Sequence, residues 1–149
     1  MKRWIDKLTF SSTKSPYFKG HYALLWVVTT ITLIRSLLHL FLPDGGAGLI
    51  ATIPLENYSE AAQATIFSMF AFWGLSQTIV AIVMIIVLWK RPQSSLLLYV
   101  LIAFEYLSRI LIGLYKPFET IQTAPGVYGN YLLLFIAVSA LLIHFVRND

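Results

Sequence analysis

The stretch IFSMFAFWGLSQTIVAIVMIIVLW, residues 66–89, decides the fold class of this chain because it contains no charged side chain. An α-helix needs about 20 consecutive, mostly apolar residues to cross the hydrocarbon core of a bilayer. Three further apolar runs have comparable length, at 22–42, 95–115 and 127–146. None of them shows the alternation of apolar and polar residues that a membrane β-barrel requires. The sequence therefore predicts an all-α integral membrane protein, a bundle of four transmembrane helices.

The overall composition agrees with the membrane class. Hydrophobic residues make up 58% of the chain and charged residues only 12%, whereas soluble domains carry about 25% charged residues. The absence of cysteine excludes disulfides, thiolate metal sites and thiol catalysis. The three histidines, His21, His39 and His144, are far apart along the predicted helices, and no carboxylate pair accompanies them. We therefore predict no metal site.

A basic arm precedes the first apolar run. The formal net charge is +4, and much of the basic excess lies at the amino terminus, in Lys2, Arg3, Lys7, Lys14 and Lys19. Beside an apolar run, such an arm is more typical of contact with anionic lipid headgroups than of nucleic-acid binding. We divide the chain into an interfacial, cytoplasmic arm, 1–20, and a four-helix transmembrane domain, 21–149. Membrane lipid is the expected partner, and no nucleic acid is expected.

The positions of lysine and arginine outside the apolar runs predict the topology. The arm, the Lys90-Arg91 pair after the second run and Arg147 in the tail fall on one side of the predicted bundle. The other side carries only Lys116. Because loops rich in lysine and arginine remain in the cytoplasm, both termini are predicted to be cytoplasmic. An even number of spans agrees with that, and a bacterial cytoplasmic (inner) membrane is the expected location.

Ionisable side chains interrupt two of the apolar runs. Arg35 and His39 are four residues apart in the first run, and Glu105 and Arg109 are four apart in the third. Residues at this spacing share one face of a helix. Ionisable groups in hydrocarbon are costly unless they are paired or face a polar cavity. The four side chains therefore predict a polar site inside the bundle.

Helical rise places this site in the outer half of the bundle. At about 1.5 Å per residue, Arg35, Gln77 and Glu105 fall near the middle of their runs, and Trp73 falls one turn further out. Asn130 and Tyr131 of the fourth run are expected at the outer mouth, and Phe104 is a further candidate for an apolar slot. The predicted ligand-binding set is Arg35, His39, Trp73, Gln77, Glu105, Tyr106 and Arg109.

The charge of this set predicts the class of ligand. A triad of Arg35, Glu105 and Arg109 leaves one surplus positive charge, which favours an anionic group such as a phosphate or a carboxylate. In this interpretation the arginines clamp the polar head of an amphipathic anionic or quinone-like ligand, and Glu105 orients them. Trp73 and Tyr106 contact its apolar part. The sequence does not identify a cofactor, and a quinone or a bound lipid is the candidate that this interpretation allows.

Two other functions remain open. In an integral membrane enzyme acting on a lipid-soluble substrate, Glu105 or His39 would serve as general acid or base. In a structural subunit, the triad would only fix the register of the helices. The apolar surface would then dock a larger membrane complex or a second copy of the chain.

Two local patterns concern packing. Gly74 and Thr78, with Ala81 close to the same stripe, form a small-xxx-small pair that lets two helices approach closely. After Pro54, the stretch 56–65 is predicted to be helical, either as a short surface cap or as an extension of the second span.

Residues 21–146 resemble the DoxX-like superfamily of four-helix bacterial membrane proteins. The similarity lies in Leu33-Ile34-Arg35-Ser36 of the first run, in Asp44-Gly45-Gly46-Ala47-Gly48, and in Lys90-Arg91-Pro92 after the second run. Members of that superfamily are associated with quinone-linked sulfur oxidation or with redox complexes. The resemblance implies a redox accessory subunit in which Arg35 contacts a quinone or a lipid, and it assigns no catalytic residue.

Overall fold

The computed structural model describes the backbone of residues 16–148 and the side chains of residues 18–146. Most of the predicted interfacial arm, residues 1–15, lies outside the described residues. The first helix already begins at Pro16. The predicted boundary between arm and transmembrane domain, after residue 20, therefore falls inside that helix.

Four long helices account for most of the described chain. They are α1 (Pro16–Phe41), α2 (Glu60–Lys90), α3 (Leu96–Tyr115) and α4 (Pro125–Asn148). Each contains a segment long and apolar enough to cross a membrane, and residues 16–148 contain no strand. The all-helical class and the four apolar segments are thereby confirmed. The helix predicted over 56–65 forms only in part. Leu55–Asn57 is a short 3-10 helix, residues 58 and 59 are not helical, and 60–65 is the start of α2 and extends the second span.

Local chemistry explains where these helices begin and end. The Ser59 hydroxyl accepts a hydrogen bond from the Ala62 N–H at 3.3 Å and caps the start of α2. Pro125 opens α4, where the missing N–H of proline is not needed. The helix α3 ends before Lys116, because a residue that precedes proline is disfavoured in the helical conformation.

The helices form two hairpins, α1 with α2 and α3 with α4. The α1–α2 pair is antiparallel, since the Tyr22 hydroxyl near the start of α1 donates to the Leu88 carbonyl near the end of α2, at 3.0 Å. We call the end formed by residues 42–59 and 116–124 the outer end, and the opposite end the inner end. Hydrogen bonds from α1 to α3 connect the two hairpins at two points, between His21 and Tyr99 and between Arg35 and Tyr106.

The helices α1 and α2 touch through their backbones at Gly74. A Cβ atom added to Gly74 would lie 2.7 Å from the backbone nitrogen of Leu40 and 2.8 Å from the carbonyl oxygen of Ser36. One turn further along α2, the Thr78 hydroxyl donates to the Ser36 hydroxyl at 3.1 Å. Ala81 is fully buried. These contacts confirm the predicted small-xxx-small pair.

The apolar core lies towards the inner end. Its fully buried side chains include Leu25, Met84, Leu88, Leu96 and Tyr99. Many other large apolar side chains point outward along all four helices, and every residue from Leu111 to Thr123 is exposed. Exposed apolar surface of this extent is typical of a face that meets lipid or a partner protein.

A tight turn after α1 forms part of the outer end. The Asp44 carboxylate accepts hydrogen bonds from the N–H groups of Gly46 at 2.7 Å, Gly48 at 3.0 Å and Leu49 at 3.4 Å. Burial raises the pKa of Asp44, and the hydrogen bonds from these backbone N–H groups lower it. Their combined effect is larger than that of burial, so the pKa of Asp44 lies below its usual range. Gly45, with φ of +61°, has no room for a side chain, because an added Cβ would lie 2.6 Å from the Cβ of Phe70.

A second contact ties this turn to the loop between α3 and α4. Thr52 adopts a left-handed conformation with φ of +58°. Its carbonyl oxygen accepts from the Ile121 N–H at 2.8 Å, and its hydroxyl donates to the Gln122 carbonyl at 2.7 Å. The two hairpins are therefore joined at the outer end by one main-chain hydrogen bond and one hydrogen bond from the Thr52 side chain.

Candidate functional site

Three helices converge around the indole ring of Trp73. The ring centroid lies 4.5 Å from that of His39 on α1, 4.7 Å from Cζ of Arg109 on α3 and 5.7 Å from Cζ of Arg35 on α1. A guanidinium near an indole face is attracted by the negative π-face of the ring. We call Trp73, with Arg35, His39, Glu105, Tyr106 and Arg109, the Trp73 cluster. The structure thus brings together side chains that the sequence predicted to share one site.

The ion pair of Arg109 and Glu105 orients one of the two cations. Nε and Nη2 of Arg109 both donate to Oε1 of Glu105, at 2.9 and 2.6 Å. The two residues are one turn apart on α3, and their side chains keep 17% and 19% of their surface exposed. Arg109 also lies over Tyr106, with Cζ 5.5 Å from the ring centroid. Glu105 therefore holds Arg109 close to two aromatic rings, and its predicted role in orienting both arginines stays a prediction.

Arg35 has a different environment. Its Nη2 donates to the Tyr106 hydroxyl at 3.4 Å, and its buried Nε has no hydrogen-bond partner in the described part of the chain. The predicted Arg–Glu–Arg triad does not form: among residues 18–146, Glu105 pairs with Arg109 alone. Arg35 meets the hydroxyl end of Tyr106, whereas Arg109, which lies over the same ring, binds the neighbouring carboxylate of Glu105.

His39 connects the cluster to the outer turn. It is buried, and its Nδ1 donates to the Gly45 carbonyl at 2.7 Å. A side chain on Gly46 would press on this ring, since an added Cβ would lie 3.2 Å from Nδ1. The edge of the site is completed by Phe70, whose ring centroid is 5.7 Å from that of His39. Sequence reasoning missed Phe70, although its spacing of three residues from Trp73 would have placed it nearby.

Gln77 lies one turn inward of Trp73 on the same face of α2. It is only 7% exposed, and its Oε1 accepts no hydrogen bond from any described residue. Buried polar side-chain atoms in proteins are nearly always hydrogen-bonded. Gln77 is thus buried in the middle of its helix, at the depth predicted from the sequence. The contacts between the helices provide no hydrogen-bond donor for its side-chain carbonyl oxygen.

Two predicted positions do not face the cluster. Phe104 is 71% exposed, because it lies two residues before Tyr106 and therefore on nearly the opposite side of α3. Tyr131 is also exposed. Across the described residues, the hydrogen bonds, ion pair and ring contacts of the Trp73 cluster come from α1, α2, α3 and the outer turn. Tyr131 makes none of these contacts, and its predicted place at the outer mouth stays a prediction.

The electrostatics of the cluster are unbalanced. Two guanidinium groups, which stay protonated in proteins, face one carboxylate. Asp44, the acid of the outer turn, directs its oxygens to backbone N–H groups. Guanidinium groups bind phosphates and carboxylates through paired, charge-assisted hydrogen bonds. The arrangement can therefore hold an anion beside aromatic surface.

Comparison with protein-family models, with curated proteins and with solved structures finds no match for this chain. The resemblance to the DoxX-like superfamily stays a prediction. What the Trp73 cluster does must therefore be argued from its own geometry and charge.

Proposed function

We propose that this protein spans a membrane four times with both termini in the cytoplasm, and that the Trp73 cluster binds the anionic head of an amphipathic molecule. The length and apolarity of the four helices support membrane insertion. The excess of lysine and arginine at the inner end supports the orientation. The surplus positive charge around Trp73 supports the ligand class.

The observation that carries the proposal is that Arg35 has no acidic partner among the described residues. An arginine at the centre of a membrane helix costs about 2.5–3.5 kcal/mol on insertion scales. Contact with Trp73 and one long hydrogen bond to Tyr106 offset only part of this. An anionic group bound between Arg35 and Arg109 would supply the missing charge.

The surroundings of the cluster suit an apolar tail. On α3, apolar side chains inward of Arg109 are exposed, among them Leu101 and Phe104. An acyl chain attached to a head at Arg109 would meet these side chains as it runs towards the middle of the membrane. A quinone-like head would accept hydrogen bonds from the same guanidinium groups but would leave the surplus charge in place. The anionic head is therefore the favoured ligand.

Native mass spectrometry of the protein extracted in mild detergent tests the proposal. The wild-type protein is expected to retain added dioleoyl phosphatidylglycerol in preference to dioleoyl phosphatidylcholine. Arg35→Leu should reduce that retention by about tenfold, since a charge-assisted hydrogen bond contributes about 1.5–3 kcal/mol. Arg91→Leu is the matched control, because it removes an exposed arginine far from the cluster.

Unchanged retention in both Arg35→Leu and Arg109→Leu would refute the clamp. A neutral quinone recovered with the wild-type protein would overturn the anionic assignment and keep the cluster as a binding site. A protein partner or a second copy recovered in place of a small molecule would favour the accessory or structural subunit.

A further inference from the structure

We propose that the Trp73 cluster selects an anionic headgroup that also carries a hydroxyl group, and that Gln77 is the residue that recognises this hydroxyl. The inference rests on the proposed function, because it concerns the same site. It adds a hydrogen-bond donor to the required chemistry of the ligand.

The first observation is the unpartnered carbonyl of Gln77. Its Oε1 is a buried acceptor with no donor from any residue in the described chain. A buried acceptor left without a donor is destabilising, and an apolar side chain of the same shape would avoid the penalty. The small residues Gly74 and Ala81 are the ones that let α2 pack closely in the bundle. That close packing does not explain why an amide side chain stands at position 77. A ligand that donates a hydrogen bond would account for the amide at this position.

The second observation is that Arg35 presents an unpartnered donor at the same level of the bundle. Nε of Arg35 is buried without an acceptor. The residues next in sequence, Ser36 and Thr78, are in direct contact through their hydroxyl groups at 3.1 Å. Arg35 and Gln77 therefore occupy matched positions on α1 and α2. Each has one buried hydrogen-bonding atom without a partner among the described residues.

These two atoms require opposite chemistry. A phosphodiester offers only acceptors, so it satisfies Arg35 and leaves Gln77 without a donor. A choline head adds no donor, and an ethanolamine head adds a donor together with a further positive charge. A glycerol or other polyol phosphate offers an anion and a hydroxyl on adjacent atoms. Because both protein atoms are covered in this conformation, binding requires the flexible side chains of Arg35 and Gln77 to turn towards the ligand.

Two lipids that differ only in the hydroxyls test this inference. The purified full-length protein is titrated in mild detergent with dioleoyl phosphatidylglycerol and with dioleoyl phosphatidylpropanol, which has the same charge and chains. Bound fractions are measured by native mass spectrometry, with dioleoyl phosphatidylcholine as the neutral reference. The wild-type protein is expected to bind the glycerol lipid about fivefold more tightly, as one net hydrogen bond contributes.

The variant Gln77→Met keeps the shape of the side chain and removes the acceptor. It should bind both anionic lipids with equal affinity. Its thermal unfolding midpoint without added lipid should not fall, because no protein hydrogen bond to Oε1 is lost. Ser76→Ala is the matched control on the same helix, since the Ser76 hydroxyl is exposed and donates to its own helix at Phe72. This control should keep the fivefold preference.

Each other outcome is decisive. Equal binding of the two anionic lipids by the wild-type protein, both above phosphatidylcholine, would overturn the role of Gln77 and leave the anion site standing. A preference that survives in Gln77→Met would do the same. Binding of neither anionic lipid above phosphatidylcholine would overturn the proposed function itself. Displacement of the lipid by millimolar glycerol phosphate would assign the site to a soluble phosphate ester and overturn the choice of a lipid.

Discussion

At the scale of single residues, Trp73 allows two like charges to lie close together. Arg35 and Arg109 come from different helices, yet both guanidinium groups lie within 6 Å of one indole ring. The negative face of the ring attracts each cation, and Glu105 screens only Arg109. The rings of Trp73 and His39 are also in contact, tilted by 36° with their centroids 4.5 Å apart, so Trp73 joins the charged part of the cluster to the outer turn.

Asp44 explains why the surplus charge is not cancelled from the outer turn, and it predicts a pH dependence. Its folded pKa is depressed by backbone hydrogen bonds that outweigh the effect of burial. The carboxylate therefore stabilises the fold above its unfolded pKa of about 3.9. This stabilisation is lost as the pH falls through the lower, folded value. We expect Asp44→Asn to lower the thermal unfolding midpoint at pH 7, and the difference from wild type to shrink below about pH 4.

The two proteins should be compared across pH in the same detergent, so that the titration of all other groups is common to both. A difference in midpoint that is the same at pH 7 and pH 3 would show that the charge of Asp44 does not stabilise the turn.

At the scale of the helices, the contact of α1 with α2 positions the site. Gly74 brings the two backbones together one residue after Trp73 and opposite Ser36 and Leu40. This close approach places Trp73 against His39, and Gln77 level with Arg35. A change in the distance between α1 and α2 should therefore alter both stability and binding.

Gly74→Ala should separate the helices, since the added methyl group would lie under 3 Å from backbone atoms that cannot move independently. Overpacking of this kind costs about 1–3 kcal/mol. The expected result is a lower free energy of unfolding in denaturant titrations and weaker binding of the anionic lipid. Gly113→Ala is the control: this glycine lies inside α3 with nothing within 4 Å of the added Cβ, and alanine favours a helix by about 0.5–1 kcal/mol. Equal stability of the two variants would contradict the close contact.

At the scale of the whole molecule, the Trp73 cluster lies where two helical hairpins meet. Arg35 and His39 come from α1, Trp73 from α2, and Tyr106 and Arg109 from α3. The hairpins are also connected at the inner end, where the Tyr99 hydroxyl donates to the His21 carbonyl at 3.1 Å. The hydrogen bonds of Thr52 connect them at the outer end. The packing of one hairpin against the other therefore sets the geometry of the cluster.

The proposed orientation in the membrane predicts which loops are reached from outside. The chain has no cysteine, so a single introduced cysteine is the only thiol of the protein that a maleimide can label. In intact cells, a membrane-impermeant maleimide should label Glu119→Cys in the loop between α3 and α4. It should reach Gln93→Cys, between α2 and α3, only after the cells are permeabilised. Labelling of Gln93→Cys alone in intact cells would mean that the topology is inverted.

The sequence by itself determined the helical class and the four apolar segments, and it placed Glu105 and Arg109 on one face of α3, because these depend on short-range properties of one helix. The length of an apolar run, the positions of prolines and a spacing of four residues can all be read from a short stretch of the sequence. It also indicated the close contact at Gly74, since small residues recur on one face of α2. The general location of the cluster followed from the depth of each polar residue along its helix.

Only the tertiary structure decided which groups meet. The partner of Arg35 depends on the rotation of α1 against α3, and that rotation directs it to Tyr106 and not to Glu105. The bond from His39 to Gly45, and the link from Thr52 to residues 121 and 122, depend on how the outer loops fold back. Helix rotation and loop path are set by packing between distant segments, so hydrophobic periodicity along one helix does not contain them.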